Sequence, residues 1–123
     1  MKIRSHKDLL IYQKSFRAAM DIFHLSKSFP KEEMYSLTDQ VRRSSRSVAA
    51  NLAEAFRKRQ YPRSFVAKLV DCECEAAETQ VWLDFSVECN YLGHEEAARL
   101  TKEYDEIIAM ALIMKLNPEQ WKP

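Results

Sequence analysis

The sequence of 123 residues contains a single glycine, Gly93, and only four prolines. A phosphate-binding loop of the Walker type and a dinucleotide-binding fingerprint each need at least two glycines, so the sequence excludes both. The scarcity of glycine also argues against a sheet protein with many tight turns, because such turns use glycine to reach positive φ. So few breakers in a chain of this length predict one all-α domain, residues 1–123, built from a few long helices.

Long apolar runs are missing as well. The longest notable stretch without a charge runs from Ile107 to Met114, whereas about 20 apolar residues are needed to cross a bilayer. Residues 1–8 are charged and lack the apolar segment of a secretory signal. We therefore expect a cytoplasmic protein with no membrane partner.

Catalytic and metal-binding patterns are also scarce. Three cysteines, Cys72, Cys74 and Cys89, are an odd number for a chain without a secretory signal, which favours free thiols. Cys72 and Cys74 would point about 200° apart on a helix, so they are poorly placed to hold one ion. Di-iron bundles need two Glu-x-x-His motifs, and only Asp21-x-x-His24 has comparable spacing. We expect no metal, no cofactor, no catalytic residues and no enzymatic activity.

Apolar residues recur every three or four positions in four stretches of the chain. This period predicts helices over residues 7–26, 31–60, 63–91 and 95–116. Long helices with short connections favour an antiparallel up-down four-helix bundle. Gly93 is predicted as the left-handed residue that ends the third helix, and residues 119–123 as a short tail.

Each predicted helix has a stripe of apolar residues that we assign to the core. In the first helix the assigned stripe consists of Leu9, Tyr12, Phe16, Ala19, Met20 and Phe23. In the second helix the middle of the stripe is made of serines and alanines, which let a neighbouring helix approach closely. The mid-helix pair Asn51 and Glu54 lies among these small residues. We interpret this pair as a structural polar contact between helices, although plain exposure remains an alternative.

A second apolar line follows the third helix, away from its core stripe. It ends in Trp82, Phe85 and Cys89. Large apolar patches on soluble proteins usually mark interfaces, so we assign these three residues to an oligomer interface. The alternative is that the other helices of the same chain cover them.

The net charge of +1 hides an uneven distribution of charges along the chain. Residues 40–68 carry eight basic residues and one acidic residue, whereas residues 69–123 carry four basic and twelve acidic residues. The bases cluster between the second and third helices, at Arg57, Lys58, Arg59, Tyr61 and Arg63. A basic cluster with an aromatic residue is a candidate nucleic-acid site. Alternatively, the basic second helix pairs with the acidic third helix or with a neighbouring subunit.

The basic residues of this segment fall into two sets, to which we assign different roles. Arg42, Arg43 and Arg46 lie in the middle of the second helix, and we interpret them as structural. Arg57, Lys58, Arg59 and Arg63 are predicted to contact phosphates, with Tyr61 stacking on a base.

Several segments together resemble one protein family. They read DLLIYQK (8–14), FPKEE (29–33), LTDQVRR (37–43), SVAANLAE (47–54), ETQVWL (78–83) and NYLG (90–93). They resemble the bacterial four-helix bundle proteins encoded in intervening sequences of 23S ribosomal RNA genes. The sequence departs from that family at Ala55, where the family usually has glycine, and at Cys74–Glu75, where it has a Gly-Ser pair.

The resemblance implies an all-helical bundle that assembles as a ring-like homopentamer, with a link to ribosomal RNA and no enzymatic activity. We therefore expect a non-enzymatic, oligomeric protein associated with ribosomal RNA or another nucleic acid through the basic residues near position 60. The alternative is a protein–protein interaction adaptor with no nucleic-acid role.

Overall fold

The computed structural model describes residues 3–123 and consists of four α-helices. They are α1 (Leu10–Ser26), α2 (Leu37–Arg57), α3 (Pro62–Glu88) and α4 (His94–Leu116). Three short 3-10 helices flank them, at His6–Asp8, Lys31–Glu33 and Pro118–Trp121. Residues 3–123 contain no strand, which confirms the all-α prediction. No helix in this part of the chain is long and apolar enough to cross a membrane.

Contacts between side chains fix the directions of the helices. Lys14 Nζ lies 2.8 Å from a Glu106 carboxylate oxygen, and Asp21 lies 3.2 Å from the Arg99 guanidinium. Residue numbers therefore rise along α1 as they fall along α4. The same inverse order relates α2 to α3 and α3 to α4. Neighbouring helices run antiparallel, and the α2–α3 connection shares one end of the molecule with the start of α1 and the end of α4.

The second helix begins at Leu37, later than the predicted residue 31. Residues Lys31–Glu33 form a 3-10 turn instead, and Ser36 has φ −129° and ψ −107°, outside the helical region. The Leu37 N–H donates to a Glu33 carboxylate oxygen at 3.2 Å and so caps the helix. The Tyr91 hydroxyl donates to the other Glu33 oxygen at 3.0 Å, which raises the pKa of Tyr91 to about 12. The hydrogen bond between Tyr91 and Glu33 therefore joins the α3–α4 connection to the α1–α2 connection.

The third helix ends at Glu88 and is followed by a left-handed residue, which is Asn90 and not Gly93. Asn90 has φ 63°, whereas Gly93 has φ −71° and is the N-cap of α4. The Asn90 N–H donates to Val87 O and the Tyr91 N–H donates to Ser86 O, each at 2.9 Å, which is the Schellman pattern. The prediction for Gly93 was wrong because asparagine also adopts the left-handed region at low cost.

We expect opposite sensitivities at these two positions. Asn90→Ala should lower the free energy of unfolding by about 1 kcal/mol, because alanine is strained at positive φ. Gly93→Ser should leave it unchanged or raise it by a few tenths of a kcal/mol, since a Cβ there meets nothing within 4 Å and serine is a good N-cap. Urea unfolding at a fixed protein concentration measures both. A larger loss at Gly93 than at Asn90 would contradict this account.

One stripe of each helix forms the core. Its largest fully buried members are Tyr104, Phe65, Ile11, Leu52, Leu69, Leu83, Leu100 and Ile107. The buried serine hydroxyls donate to carbonyl oxygens of their own helix, as where Ser15 donates to Ile11 O at 2.8 Å. Thr79 Oγ1 also lies 2.8 Å from Ser44 Oγ, which joins α3 to α2. Small residues therefore line the α2–α3 contact without leaving these groups unpaired.

The first helix buries a different face from the one predicted. Phe16 is 50% exposed and Met20 is 40% exposed, although both belong to the stripe assigned to the core. The buried residues of α1 are Ile11, Ser15, Ala18, Ile22 and Ser26. The helix carries two apolar stripes, and the one with smaller side chains packs inward.

The exposed stripe of α1 borders a row of alanines on α2. Together they form an open apolar groove, the α1–α2 groove, lined by Tyr12, Phe16, Ala19, Met20, Arg46, Ala49, Ala50 and Ala53. An apolar groove of this kind on a folded chain is typical of an interaction surface.

Candidate nucleic-acid interface

The connection between α2 and α3 is a tight turn. α2 ends at Arg57 and α3 begins at Pro62, a residue suited to the first helical position. Within the turn the Tyr61 N–H donates to Lys58 O at 2.9 Å. The five predicted contact residues, Arg57, Lys58, Arg59, Tyr61 and Arg63, all lie at this turn, which we call the basic tip.

Four of the five side chains of the basic tip are open to solvent. Arg57, Lys58 and Arg63 are exposed, and no carboxylate within residues 3–123 forms an ion pair with them. Tyr61 is 59% exposed. Cations without carboxylate partners are available to pair with an anionic ligand. An exposed ring can stack on a base.

Arg59 is engaged within the protein. Its Nε donates to Phe56 O at 2.9 Å, and its guanidinium lies 3.8 Å from the centre of the Phe56 ring. These contacts cover the carboxyl end of α2, where a positive charge is favourable. Arg59 therefore has a structural role that the sequence did not reveal.

The two ends of the molecule differ in charge. The end with the basic tip comprises residues 3–14, 52–70 and 109–123, which hold ten lysines and arginines and three acidic residues. The opposite end comprises residues 19–38 and 82–101, which hold three lysines and arginines and seven acidic residues. The positive end creates a field that attracts polyanions.

Asn51 and Glu54 meet a lysine of the neighbouring helix. Lys68 Nζ donates to Asn51 Oδ1 at 3.3 Å and lies 3.3 Å from Glu54 Oε1 and 3.7 Å from Asp71 Oδ2. The pair thus takes part in a polar contact between α2 and α3. In the sequence Lys68 is only one of the bases of residues 40–68, because its distance from Asn51 depends on the pairing of two helices.

The mid-helix arginines of α2 divide into two kinds. Arg43 forms ion pairs with Glu75 and Glu78 of α3, and the hydrogen bond to Glu75 raises the pKa of Arg43. Arg42 and Arg46 form no ion pair with any carboxylate in the described part of the chain. The pairing of a basic α2 with an acidic α3 therefore accounts for Arg43 and Lys68 but leaves the other cations of residues 40–68 without a carboxylate partner in the described part of the chain.

The residues assigned to an interface on α3 form what we call the aromatic patch: Trp82, Phe85 and Cys89. Phe85 is 54% exposed and its ring lies 5.9 Å from that of Trp82. Trp82 is half-buried against the core, and its Nε1 donates to Glu78 at 3.2 Å. The helices of this chain cover Trp82 in part and leave Phe85 and Cys89 open.

The three thiols are free. Cys72 is buried, which raises the pKa of its thiol to about 12, whereas Cys74 and Cys89 are exposed. Residues 3–123 contain no group of three or more histidine, cysteine, aspartate or glutamate side chains arranged to hold a metal ion.

Comparisons with known proteins give a consistent result. The family model described as 23S rRNA-intervening sequence protein matches residues 7–112. A solved structure of a protein of unknown function from the S23 ribosomal protein family of Bacteroides thetaiotaomicron is similar, with 27% sequence identity and a TM-score of 0.77. The match covers 86% of this chain and 95% of that one. No curated protein matches this chain.

Proposed function

We propose a function on the premise that this chain belongs to the 23S rRNA-intervening sequence protein family. Membership confirms the resemblance seen in the sequence and associates the chain with rRNA intervening sequences. We infer a non-enzymatic, cytoplasmic, oligomeric protein that binds ribosomal RNA or another nucleic acid through its basic tip. The family itself has no assigned activity that would restrict this inference.

The observation that carries the proposal is the set of unpaired cations at the positive end of the molecule. Arg57, Lys58 and Arg63 project from a tight turn and lack carboxylate partners in residues 3–123. Each is available to displace a counterion from a phosphate, which is the main source of affinity for nucleic acids. Tyr61 adds an exposed ring beside them for stacking on an unpaired base.

Oligomerisation is supported by two unlike apolar surfaces. The α1–α2 groove is lined largely by alanines, whereas the aromatic patch on α3 carries the exposed ring of Phe85 in a separate shallow groove. A contact between unlike surfaces of successive copies is heterologous and closes into a ring when the rotation permits. The homopentamer implied by the resemblance is such a ring. It would gather several basic tips, so that weak single contacts add through avidity.

The basic tip can be tested by removing its free cations. In the triple variant Arg57→Gln, Lys58→Gln, Arg63→Gln, we expect at least tenfold weaker binding to a labelled ribosomal RNA fragment. The slope of log affinity against log salt should flatten by about 2, since each phosphate contact on a single strand contributes about 0.7. Fluorescence anisotropy between about 50 and 200 mM salt measures both quantities.

The control removes three exposed cations elsewhere: Arg17→Gln, Lys31→Gln and Lys102→Gln. Its net charge equals that of the tip variant. Equal affinity of the two triple variants would show that the tip has no specific role. Failure of the unchanged protein to bind RNA at about 50 mM salt would reject the RNA proposal and favour the adaptor.

The adaptor is the second candidate, and the aromatic patch is the observation that favours it. Phe85 and Cys89 remain open within a shallow groove that also includes Leu37 of α2. Light scattering separates the two candidates, because a monomer with an exposed patch would leave that surface for a different protein. A stable oligomer would favour the first proposal.

A further inference from the structure

Three cationic side chains surround the ring of Phe23, where α1 packs against α2. Lys27 Nζ lies 4.7 Å from the centre of the ring, and the guanidinium carbons of Arg42 and Arg46 lie at 5.0 Å and 5.9 Å. We call Phe23, Lys27, Arg42 and Arg46 the Phe23 cluster. No carboxylate within residues 3–123 forms an ion pair with its cations.

Local contacts compensate only part of this charge. Arg42 Nε donates to Ser26 Oγ at 2.8 Å, and its Nη2 donates to Phe23 O at 3.5 Å, near the negative carboxyl end of α1. Arg46 lies one turn further along α2, and its side chain makes no hydrogen bond within residues 3–123. Three like charges around one ring repel each other, so the cluster is favourable for an added anion.

An open cavity of about 470 Å³ adjoins the cluster on α2. Its polar lining consists of Thr38, Asp39, Arg42, Arg43, Arg46 and Ser47. Thr38 is buried, and its hydroxyl has no hydrogen-bond partner in the described chain. Arg43 is paired with two glutamates of α3, and Asp39 is the one acidic residue of the lining. Arg42 and Arg46 therefore give the remaining lining a net positive charge. Guanidinium groups match the geometry of phosphate oxygens.

We propose that the Phe23 cluster binds phosphates of the RNA backbone, with Arg42 and Arg46 each contacting one, as a contact region separate from the basic tip. The inference rests on the proposed function and adds a second place where the same RNA is held. Arg46 and Arg57 lie on the same outward ridge of α2, three turns and about 16 Å apart. The two cations are separate contact points, because Ala50 and Ala53 between them line the α1–α2 groove, which a second copy is proposed to cover.

The test compares the double variant Arg42→Gln, Arg46→Gln with a control of equal charge, Arg17→Gln, Lys102→Gln. Both are titrated into a single-stranded ribosomal RNA fragment by anisotropy at about 50 to 200 mM salt. We expect the slope of log affinity against log salt to flatten by about 1.4 in the cluster variant relative to the control. Arg46→Gln alone, which removes no hydrogen bond within residues 3–123, should give about half of that change.

Each outcome bears on one claim. If the cluster variants bind like the control while the tip triple variant is weakened, the cluster inference is rejected and the proposed function stands. If the unchanged protein does not bind RNA at all, both are rejected. If Arg42→Gln perturbs folding by circular dichroism, the single Arg46→Gln variant still decides, because its side chain is exposed.

Discussion

Phe16→Asp is expected to leave the chain folded and to dissociate the proposed oligomer, whereas Ile22→Asp is expected to unfold the chain. Phe16 is half exposed in the α1–α2 groove, so a carboxylate there stays hydrated in the single chain. Ile22 is 2% exposed, and an unpaired charge at that position costs several kcal/mol. Such a loss is comparable with the whole stability of a small domain. Circular dichroism reports the fold, and light scattering reports the mass.

Gln13→Asp is the control, because Gln13 is exposed on the same helix and lies outside the groove. We expect it to change neither the fold nor the mass. An unfolded Phe16→Asp variant would mean that Phe16 belongs to the core after all. A folded variant with the mass of the unchanged oligomer would exclude the groove from the subunit contact. Dissociation without unfolding is expected only if a second copy covers the groove.

The two faces of α1 explain why the sequence-based prediction of its buried face was wrong. Both stripes of this helix carry apolar residues, and the exposed stripe carries the larger, aromatic ones, whereas the buried stripe includes two serines. Periodicity identifies the stripes but does not indicate which of them meets the bundle. In α4 the second face is partly charged, as at Lys102 and Asp105. The residues predicted to face inward are buried, except for the half-buried Ile108: Ala97, Leu100, Tyr104, Ile107, Ile108, Ala111 and Met114. Patterning therefore predicts the buried face reliably only where the other face is polar.

The candidate interface, like the core of α1, was predicted only in part from the sequence. Local sequence sufficed for the basic tip, because its cations lie within a few residues of one turn. It did not reveal that Arg59 is held by Phe56, nor that Lys68 is shared between Asn51 and Glu54. It also placed Arg42 and Arg46 with the structural arginines, because the ring of Phe23 belongs to another helix. Pairing between helices decides which charges remain free.

Trp121→Ala is expected to lower the free energy of unfolding by about 2 kcal/mol, although the sequence suggested that residues 119–123 form only a short tail. Pro118–Trp121 is a 3-10 helix, and the Trp121 ring lies 6.5 Å from that of Phe65 in α3. Phe65 is almost fully buried, so loss of the indole uncovers the core at this end of the molecule. Complete burial of a tryptophan is worth about 3–5 kcal/mol, and Trp121 is half-buried.

Urea unfolding followed by circular dichroism at a fixed protein concentration measures this loss, since the variant also removes a fluorophore. Gln120→Ala is the control, because Gln120 is exposed, and it should change the stability by less than about 0.5 kcal/mol. Trp121→Phe should retain most of the stability, because a smaller ring still covers Phe65. A loss at Trp121 no larger than at Gln120 would mean that the 3-10 helix does not stabilise the bundle.

The same variant separates stability from binding at the basic tip. Phe65 lies in the first turn of α3, two residues after the exposed Arg63. Trp121→Ala removes no charge, so the slope of RNA affinity against salt should stay unchanged at temperatures where the variant remains folded. Loss of affinity with an unchanged slope would indicate that Trp121 positions the tip, whereas a flatter slope would indicate that phosphate contacts depend on this end of the bundle being closed. The tip's cations and the packing beneath them can thus be tested independently.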